Sequence, residues 1–444
     1  TSLGRPAPGP DGQRIRSVLA LRKDRLGAFR RWIQQYGDIV RIPVGPELLY
    51  LVVHPDHVKS VLQDQARSFD KQTRGFAVIR RLLGQGLLTS EGKFWLRQRR
   101  IAQPVFGRRT VGAFAGQFGL AAQRLADRWA EAQNGQTIDV TEAMTRLTLS
   151  IVGETLLGRE LTGEARAVGE ALSISLHWAS KNVTTPKFLL DLPTRSNRES
   201  QRAIQTLDRV VLETIDARRQ ASERPDDLLT RLMEATDPET GQGMSDQQLR
   251  DEVMTMFLAG HETTANALAF SLYLLGQHPE WAEKVAAEAD AVLTDELPTA
   301  DDLRRLDVTG RVVFEAMRLY PPAWIVPRRA ATDTQLGEFH IEAGANLICF
   351  TMGTHRHPEF WPDPETFDPD RFLESAAPRH KFAYFPFGGG PRLCIGRDFA
   401  LLEAVLVLAT LMRRVRMVPA WDQVGLDPTI TLRPTGLKMR VQAR

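Results

Sequence analysis

Cysteine is scarce in this chain: Cys349 and Cys394 are the only two in 444 residues. A disulfide framework is excluded, and a reducing compartment, the cytoplasm, is the expected location. Charge of one sign is lacking too, because 57 Lys and Arg against 54 Asp and Glu leave a formal net charge of +3. So small an excess gives no footing for nucleic acid, and the basic runs lack an interleaved recognition motif. No run approaches about 18 apolar residues, so no transmembrane anchor is expected. Repeats and low-complexity tracts are missing. The Pro-rich lead-in over residues 1–20 does not have the pattern of a signal peptide. What remains, 43% hydrophobic and 25% charged residues, describes a chain able to bury a large core.

The hydrophobic pattern is mostly helical, with strand-like pieces near both ends. Residues 24–36 read as an amphipathic helix. Asp38 to Pro43 and Leu48 to Val53, divided by Gly45 and Pro46, read as a hairpin. Residues 67–90 read as irregular, and helical spacing dominates from about 92 to 325. Strands are expected near 337–352, at Thr429 to Arg433, and at Leu437 to Val441. Cys349 falls in an apolar strand and reads as inert.

The most informative stretch runs from Phe385 to Arg397. Three glycines and two prolines make residues 386–393 a fixed loop, and a strong helix pattern follows from Ile395. Cys394 therefore sits where a glycine loop enters a helix, a place that favours the thiolate. A dinucleotide fingerprint starting at Gly388 needs glycine at 393, which is Leu393. A P-loop triplet is missing, and a zinc site needs more ligands close by. An axial ligand to haem iron and an inert buried cysteine are the readings left open.

Residues 245–276 give the longest helix signal, opened by a Ser245/Gln248 capping box and stopped by Gly276 and Pro279. About 30 residues at 1.5 Å each span roughly 45 Å, enough to cross a domain. Inside it lies the polar cluster Ala259-Gly-His-Glu-Thr-Thr264. The Thr263 hydroxyl can bond back to the Ala259 carbonyl and loosen the ladder, and Gly260 leaves a groove. A zinc-protease reading of His261-Glu262 fails because it needs His where Ala265 stands. A core helix with a satisfied polar patch is the plainer alternative.

Phe387-x-x-Gly390-x-Arg392-x-Cys394-x-Gly396 resembles the haem-binding signature of the cytochrome P450 superfamily, and Ala259-Gly260-x-Glu262-Thr263-Thr264 is similar to its oxygen-activation motif. The resemblance implies a single domain over the whole chain, mainly α with small β-sheets. Its shape would be a triangular prism with the long helix over haem b. It makes Cys394 the iron ligand, with Phe387, Gly388, Gly396, Ala259 and Gly260 around the cofactor. Thr263 and Glu262 would manage protons during oxygen activation. Trp95, Arg99, Arg392 and Arg328 or its neighbour Arg329 would meet the propionates. Glu315, Arg318 and Arg371 would lock the fold, with Asp370 in place of the commoner Glu.

The resemblance also places a substrate pocket along Phe76, Ile79, Leu82, Trp178, Met256, Ala323, Trp324, Ile325, Val326 and Thr435, an apolar set suited to a lipophilic substrate. The expected reaction is insertion of one oxygen atom from O2 into a C–H bond of a terpenoid, carotenoid or fatty acid. Peroxide-driven chemistry and a non-enzymatic haem-thiolate sensor are the alternatives. No fused reductase is expected, so electrons come from a ferredoxin or flavodoxin with its reductase. Lys93, Arg97, Arg100, Arg108, Arg109, Arg413, Arg414 and Arg416 are candidates for a basic docking face, and a monomer is the family expectation.

Overall fold

The structure, a computed structural model, describes residues 4–131, 135–158, 165–183, 185, 187–294 and 297–444. Its contacts gather into two compact units, Thr1–Phe76 with Met317–Cys394, and Ala77–Ala316 with Ile395–Arg444.

The first unit carries most of the strand structure. Ile39–Val44 and Glu47–Val52 form the expected antiparallel hairpin, turned through a left-handed Gly45 at φ 56°. Asn346–Cys349 adds in parallel, then Val326–Ala330 antiparallel, with Phe69–Asp70 at the edge, giving five strands. Alternate residues Tyr50, Val52, Leu347 and Cys349 bury one face against Val58, Leu62, Phe382 and Phe385. Cys349 has no exposed surface, and burial pushes its thiol up to about 12, which makes it the inert strand residue expected. Within the lead-in, Arg5–Pro6 pairs with Phe339–Ile341, and a helix runs from Arg14 to Lys23.

Arg318, near the end of the helix Asp307–Leu319, is fully buried. A guanidinium has five N–H donors, each costly to leave unmet away from water. This one donates to the carbonyls of His355 (3.0 Å), Pro364 (2.7 Å) and Thr366 (3.0 Å) and lies 5.0 Å from the centre of the Trp361 ring. Arg371 donates to the carbonyls of Pro362 (2.6 Å) and Asp363 (3.0 Å). Two arginines thus fold the segment 355–366 around their donors.

The second unit is helical. Its longest element, Asp246–Gln277, spans 32 residues and opens on both hydrogen bonds of the Ser245/Gln248 capping box. Gly276 does not stop it: the helix continues to Gln277, and Pro279 instead opens the helix Pro279–Val292. Val140–Leu157 packs along the long helix. Arg397–Arg414, the helix after Cys394, packs on Ala115–Glu131 through Phe399 edge-on to Phe118 at 4.9 Å. Among the described residues no helix is long and apolar enough to cross a membrane.

Two further expectations change. Residues 67–90 are not irregular throughout, because Arg74–Leu83 is a helix whose start is held by Thr73 Oγ1 accepting from the Phe76 N–H (3.3 Å). Interleaved arginines masked its apolar face, which buries Phe76, Val78, Leu82 and Leu83. The strand expected from Thr429 begins only at Leu432. Pro428 pairs with Leu432 across the hairpin Gly425–Pro428/Leu432–Thr435, so residues 429–431 make the turn.

Replacing Arg318 by Lys keeps the charge but cannot serve three carbonyls. Loss of about 3 kcal/mol of unfolding free energy is expected in a urea titration. An unchanged midpoint would show that the carbonyl cage does not depend on the guanidinium.

Candidate active site

In the first unit, the loop before Cys394 is shaped by close backbone approaches. Gly390 is left-handed (φ 63°), and a Cβ there would stand 1.9 Å from the Leu62 carbonyl oxygen. A Cβ on Gly389 would meet the Phe382 ring at 2.3 Å. The Cys394 N–H donates to the Phe387 carbonyl (3.0 Å), closing the loop. Cys394 is exposed, unlike Cys349, and lies two residues before Gly396, the cap of Arg397–Arg414. The loop start is pinned by a residue that sequence reading missed. Fully buried His355 accepts the Phe385 N–H at Nε2 (2.9 Å), while burial and the nearby Arg318 push its pKa down to about 3. A neutral imidazole is the form able to accept that bond.

In the second unit, the long helix is buried from Leu249 to Leu275 except at Met256, Ala259, Gly260, Glu262, Thr263 and Tyr273. Met256, Ala259, Gly260 and Thr263 follow helical spacing and form one open stripe. Thr263 Oγ1 donates to the Ala259 carbonyl (2.5 Å), as its position predicts, yet the helix stays continuous through this turn. A Cβ on Gly260 would come to 3.3 Å from Val152 Cγ2, so the glycine also allows close packing of Val140–Leu157. His261 points away from the stripe, bonded through Nδ1 to the Phe257 carbonyl (2.8 Å) and kept neutral by burial.

Glu262 is the notable acid. Its Oε1 accepts from the Thr431 hydroxyl (2.9 Å), and its Oε2 is buried with no hydrogen-bond partner. Burial raises its pKa against the opposing pull of Thr431 and Arg433. A second acidic feature was not legible in the sequence. Asp251 accepts the Gln85 N–H (2.7 Å) and Glu252 the Leu87 N–H (3.0 Å), clasping the turn after Leu83 onto the long helix. Gly84 and Gly86 permit this, since a Cβ at either would collide with Asp251 or Thr255.

The expected cations are distributed over both units. Trp95 and Arg99 are half-buried on the helix Gly92–Ala102, where Arg99 donates to Gln103 (3.3 Å). Arg328 is buried and donates to the Pro327 carbonyl (2.9 Å), whereas Arg329 is taken by Asp70 in a two-pronged pair at 3.1 and 2.6 Å. Arg392 is half-buried beside Cys394. Glu315 shares the burial of Arg318. The basic docking set is largely engaged within the protein. Arg97 donates to the Gly243 carbonyl, Arg100 to Asp237, Arg108 to Asp398, Arg413 to the Thr294 carbonyl and Arg414 to Asp127. Lys93, Arg109 and Arg416 are exposed.

Of the apolar set, Phe76, Leu82 and Trp178 are buried, while Ile79, Met256, Ala323, Ile325 and Val326 keep some exposure. Trp324 has no exposed surface and packs with Phe29 and Phe350, which makes it core of the first unit. Thr435 is exposed in the hairpin, paired with Gly425.

Among the described residues no group of three or more His, Cys, Asp or Glu is placed to hold a metal ion. A lone exposed thiol is a fit for a metal whose other ligands come with a cofactor. The model of the family described as Cytochrome P450 matches residues 6–439. The chain belongs to the cytochrome P450 family. It is 36% identical over 397 residues to cyclooctat-9-en-7-ol 5-monooxygenase of Streptomyces melanosporofaciens, covering 88% of this chain and 85% of that one. To pentalenene oxygenase of Streptomyces avermitilis it is 33% identical, over 94% of this chain and 92% of the relative. The crystal structure of the cytochrome P450DA haem domain superposes with a TM-score of 0.91 at 31% identity, over 100% of this chain and 98% of that chain. The mostly helical P450 fold is therefore established. This P450 is a monooxygenase, and haem b is its cofactor.

The depressed pKa of His355 makes acid stability a test of the loop anchor. Its neutral form contributes fully above the ordinary value near 6.5, and that contribution is lost as pH falls toward about 3. Between neutral and mildly acid pH, unfolding free energy should fall more steeply in the wild type than in His355→Gln, whose amide oxygen still accepts the Phe385 N–H. Parallel slopes in denaturant titrations would refute the assignment.

Proposed function

We propose that this P450 hydroxylates a C–H bond of a hydrophobic small molecule, with a terpenoid favoured over a carotenoid or fatty acid. The observation that carries the reading is the open stripe of the long helix. It is apolar except for Thr263, Glu262 precedes Thr263 in the same turn, and the other residues of that turn are buried. Such a lining binds apolar surface and leaves two polar groups to handle protons. The terpenoid preference rests on the two Streptomyces relatives, both terpenoid oxygenases.

In this reading the Cys394 thiolate ligates the iron, and Arg392, Arg328, Trp95 and Arg99 hold the cofactor's carboxylates. When bound, haem b supplies the oxygen-activating chemistry. The protein's own part is proton management. The Thr263 hydroxyl proton is committed to the Ala259 carbonyl, so its lone pairs are left to accept a hydrogen bond on the open side. Glu262, with its carboxyl kept protonated to higher pH than usual by burial, can hold a transferable proton at Oε2. Of the expected pocket residues, Ile79, Met256 and Thr435 in the second unit and Ala323, Ile325 and Val326 in the first keep accessible surface. Glu315, Arg318 and Arg371 are structural.

Electrons come from an acidic external carrier, a ferredoxin or flavodoxin with its reductase. Most of the arginines expected to receive it have internal partners, so Lys93, Arg109 and Arg416 are the cations to examine. The protein acts as a monomer in the cytoplasm. The intact Glu262-Thr263 pair favours O2 over peroxide as the oxidant, and it has no evident use in a sensor.

The deciding measurement is the absorbance spectrum of the reduced, CO-bound protein. A strongly red-shifted band in the wild type, lost in Cys394→Ser, is expected. A band at the imidazole-ligated position would remove the thiolate assignment. In turnover with a terpenoid that shifts the spin state, Glu262→Gln should slow product formation by roughly a hundredfold. The spin-state shift itself should persist, and unchanged turnover would remove Glu262 from the proton supply.

A further inference from the structure

We infer that Thr431 is a positioning residue for the Glu262 carboxyl, and that its neighbour Ile430 ties this position to the apolar cluster around Trp178. The inference rests on the proposed role of Glu262 and adds how that carboxyl is held.

Thr431 closes the turn between Gly425–Pro428 and Leu432–Thr435, and it is buried. A hydroxyl has one proton and two lone pairs. The proton goes to Glu262 Oε1 at 2.9 Å, and a lone pair receives Asn266 Nδ2 at 3.1 Å. Asn266 is itself buried, one helical turn beyond Glu262. Because the Asn266 amide group facing Thr431 is a donor, the Thr431 hydrogen cannot turn back and must point at the carboxyl. The turn is braced from within by Thr429 Oγ1, which donates to the Thr431 carbonyl (3.1 Å). Since Glu262 Oε2 makes no hydrogen bond, Thr431 is the one hydrogen-bonding contact fixing this carboxyl among the described residues.

One residue earlier, Ile430 packs against Val78, Trp178, Ala179 and Leu190. That cluster has its own lock. Trp178 Nε1 donates to Asn197 Oδ1 (2.8 Å), and Asn197 Nδ2 donates to the carbonyls of Leu189 (3.2 Å), Leu190 (3.1 Å) and Leu192 (2.8 Å). A displacement of Trp178 or Leu190 therefore moves Ile430, and the three-residue turn passes that movement to Thr431. The residue that packs against the apolar cluster and the residue that holds the carboxyl are adjacent on one short turn.

The charged groups acting on Glu262 are Arg433 and Asp427 of the same hairpin, themselves paired at 2.8 Å, while His261 faces Phe257. A hydroxyl that donates to a carboxylate favours its charged form, so its removal must raise the pKa.

The test follows the protonated-carboxyl infrared band of Glu262, identified by its loss in Glu262→Gln, against pH in the ferric holoenzyme. Thr431→Val should move the midpoint of that band upward by about one pH unit, and Thr431→Ser should restore it. Ile430→Ala should shift it the same way by a smaller amount. An unmoved or lowered midpoint in Thr431→Val overturns the positioning role, and an unmoved midpoint in Ile430→Ala overturns the tie to the Trp178 cluster. Product formed per electron consumed, measured on the same variants, separates the two readings. If Glu262→Gln keeps full coupling, the proton-donor role fails, while the infrared midpoint still decides how the carboxyl is held.

Discussion

A guanidinium with no exposed surface is the constraint on which the cysteine loop depends. Arg318 cannot shed its charge, so its burial forces nearby carbonyls to face it, and the carbonyls of His355, Pro364 and Thr366 do so. The first of these acceptors carries the imidazole that takes the Phe385 N–H. Satisfying one buried cation thus sets the starting point of the loop that presents Cys394. From Phe385 onward the loop is held by contacts that tolerate no side chain, Gly389 against Phe382 and Gly390 against the Leu62 carbonyl. The position of the thiol follows from hydrogen-bond demand at one end and steric exclusion along the way.

The long helix solves a different problem. A helix buried along almost its whole length should be apolar, yet this one carries Asp251, Glu252, His261, Glu262, Thr263, Thr264 and Asn266. Most of these repay desolvation by holding neighbouring chain. Asp251 and Glu252 bind the backbone of the turn after Leu83, His261 bonds within its own helix, and Asn266 reaches Thr431. Glu252 and Glu262 each have one oxygen held and one left over. A buried acid with an unsatisfied oxygen is a candidate for chemistry, and Glu262 lies in the same helical turn as the open stripe.

Membership of the P450 family ties these arrangements to monooxygenase chemistry on haem b. The family explains why an exposed cysteine after a glycine loop and a polar interruption in a buried helix occur in one chain. It does not explain the hydrogen bond from Thr431, the clasp at Gly84 and Gly86, or the Asn197 lock on the segment around Leu190. Those belong to how this chain supports a common chemistry with its own side chains.

Much of this was legible in sequence because it depends on local covalent facts. Glycine spacing marked the loop, helical periodicity and a capping box marked the long helix, and the hairpin at Gly45 followed from alternation and turn residues. The back-bond from Thr263 to Ala259 was also readable, since a threonine in a helix has few other partners within reach. What tertiary structure decided involves partners far apart in the chain. His355 meeting Phe385, Glu262 meeting Thr431, and Asp251 meeting Gln85 are separated by 30, 169 and 166 positions. The basic residues read as a docking face are likewise mostly spent on distant acids and carbonyls. The sequence by itself determined the family, the loop and the helix, because propensity and motif spacing act between neighbours. Which buried polar atoms are satisfied, and which are left over, was decided only when the packed fold excluded water and made every remaining partner count.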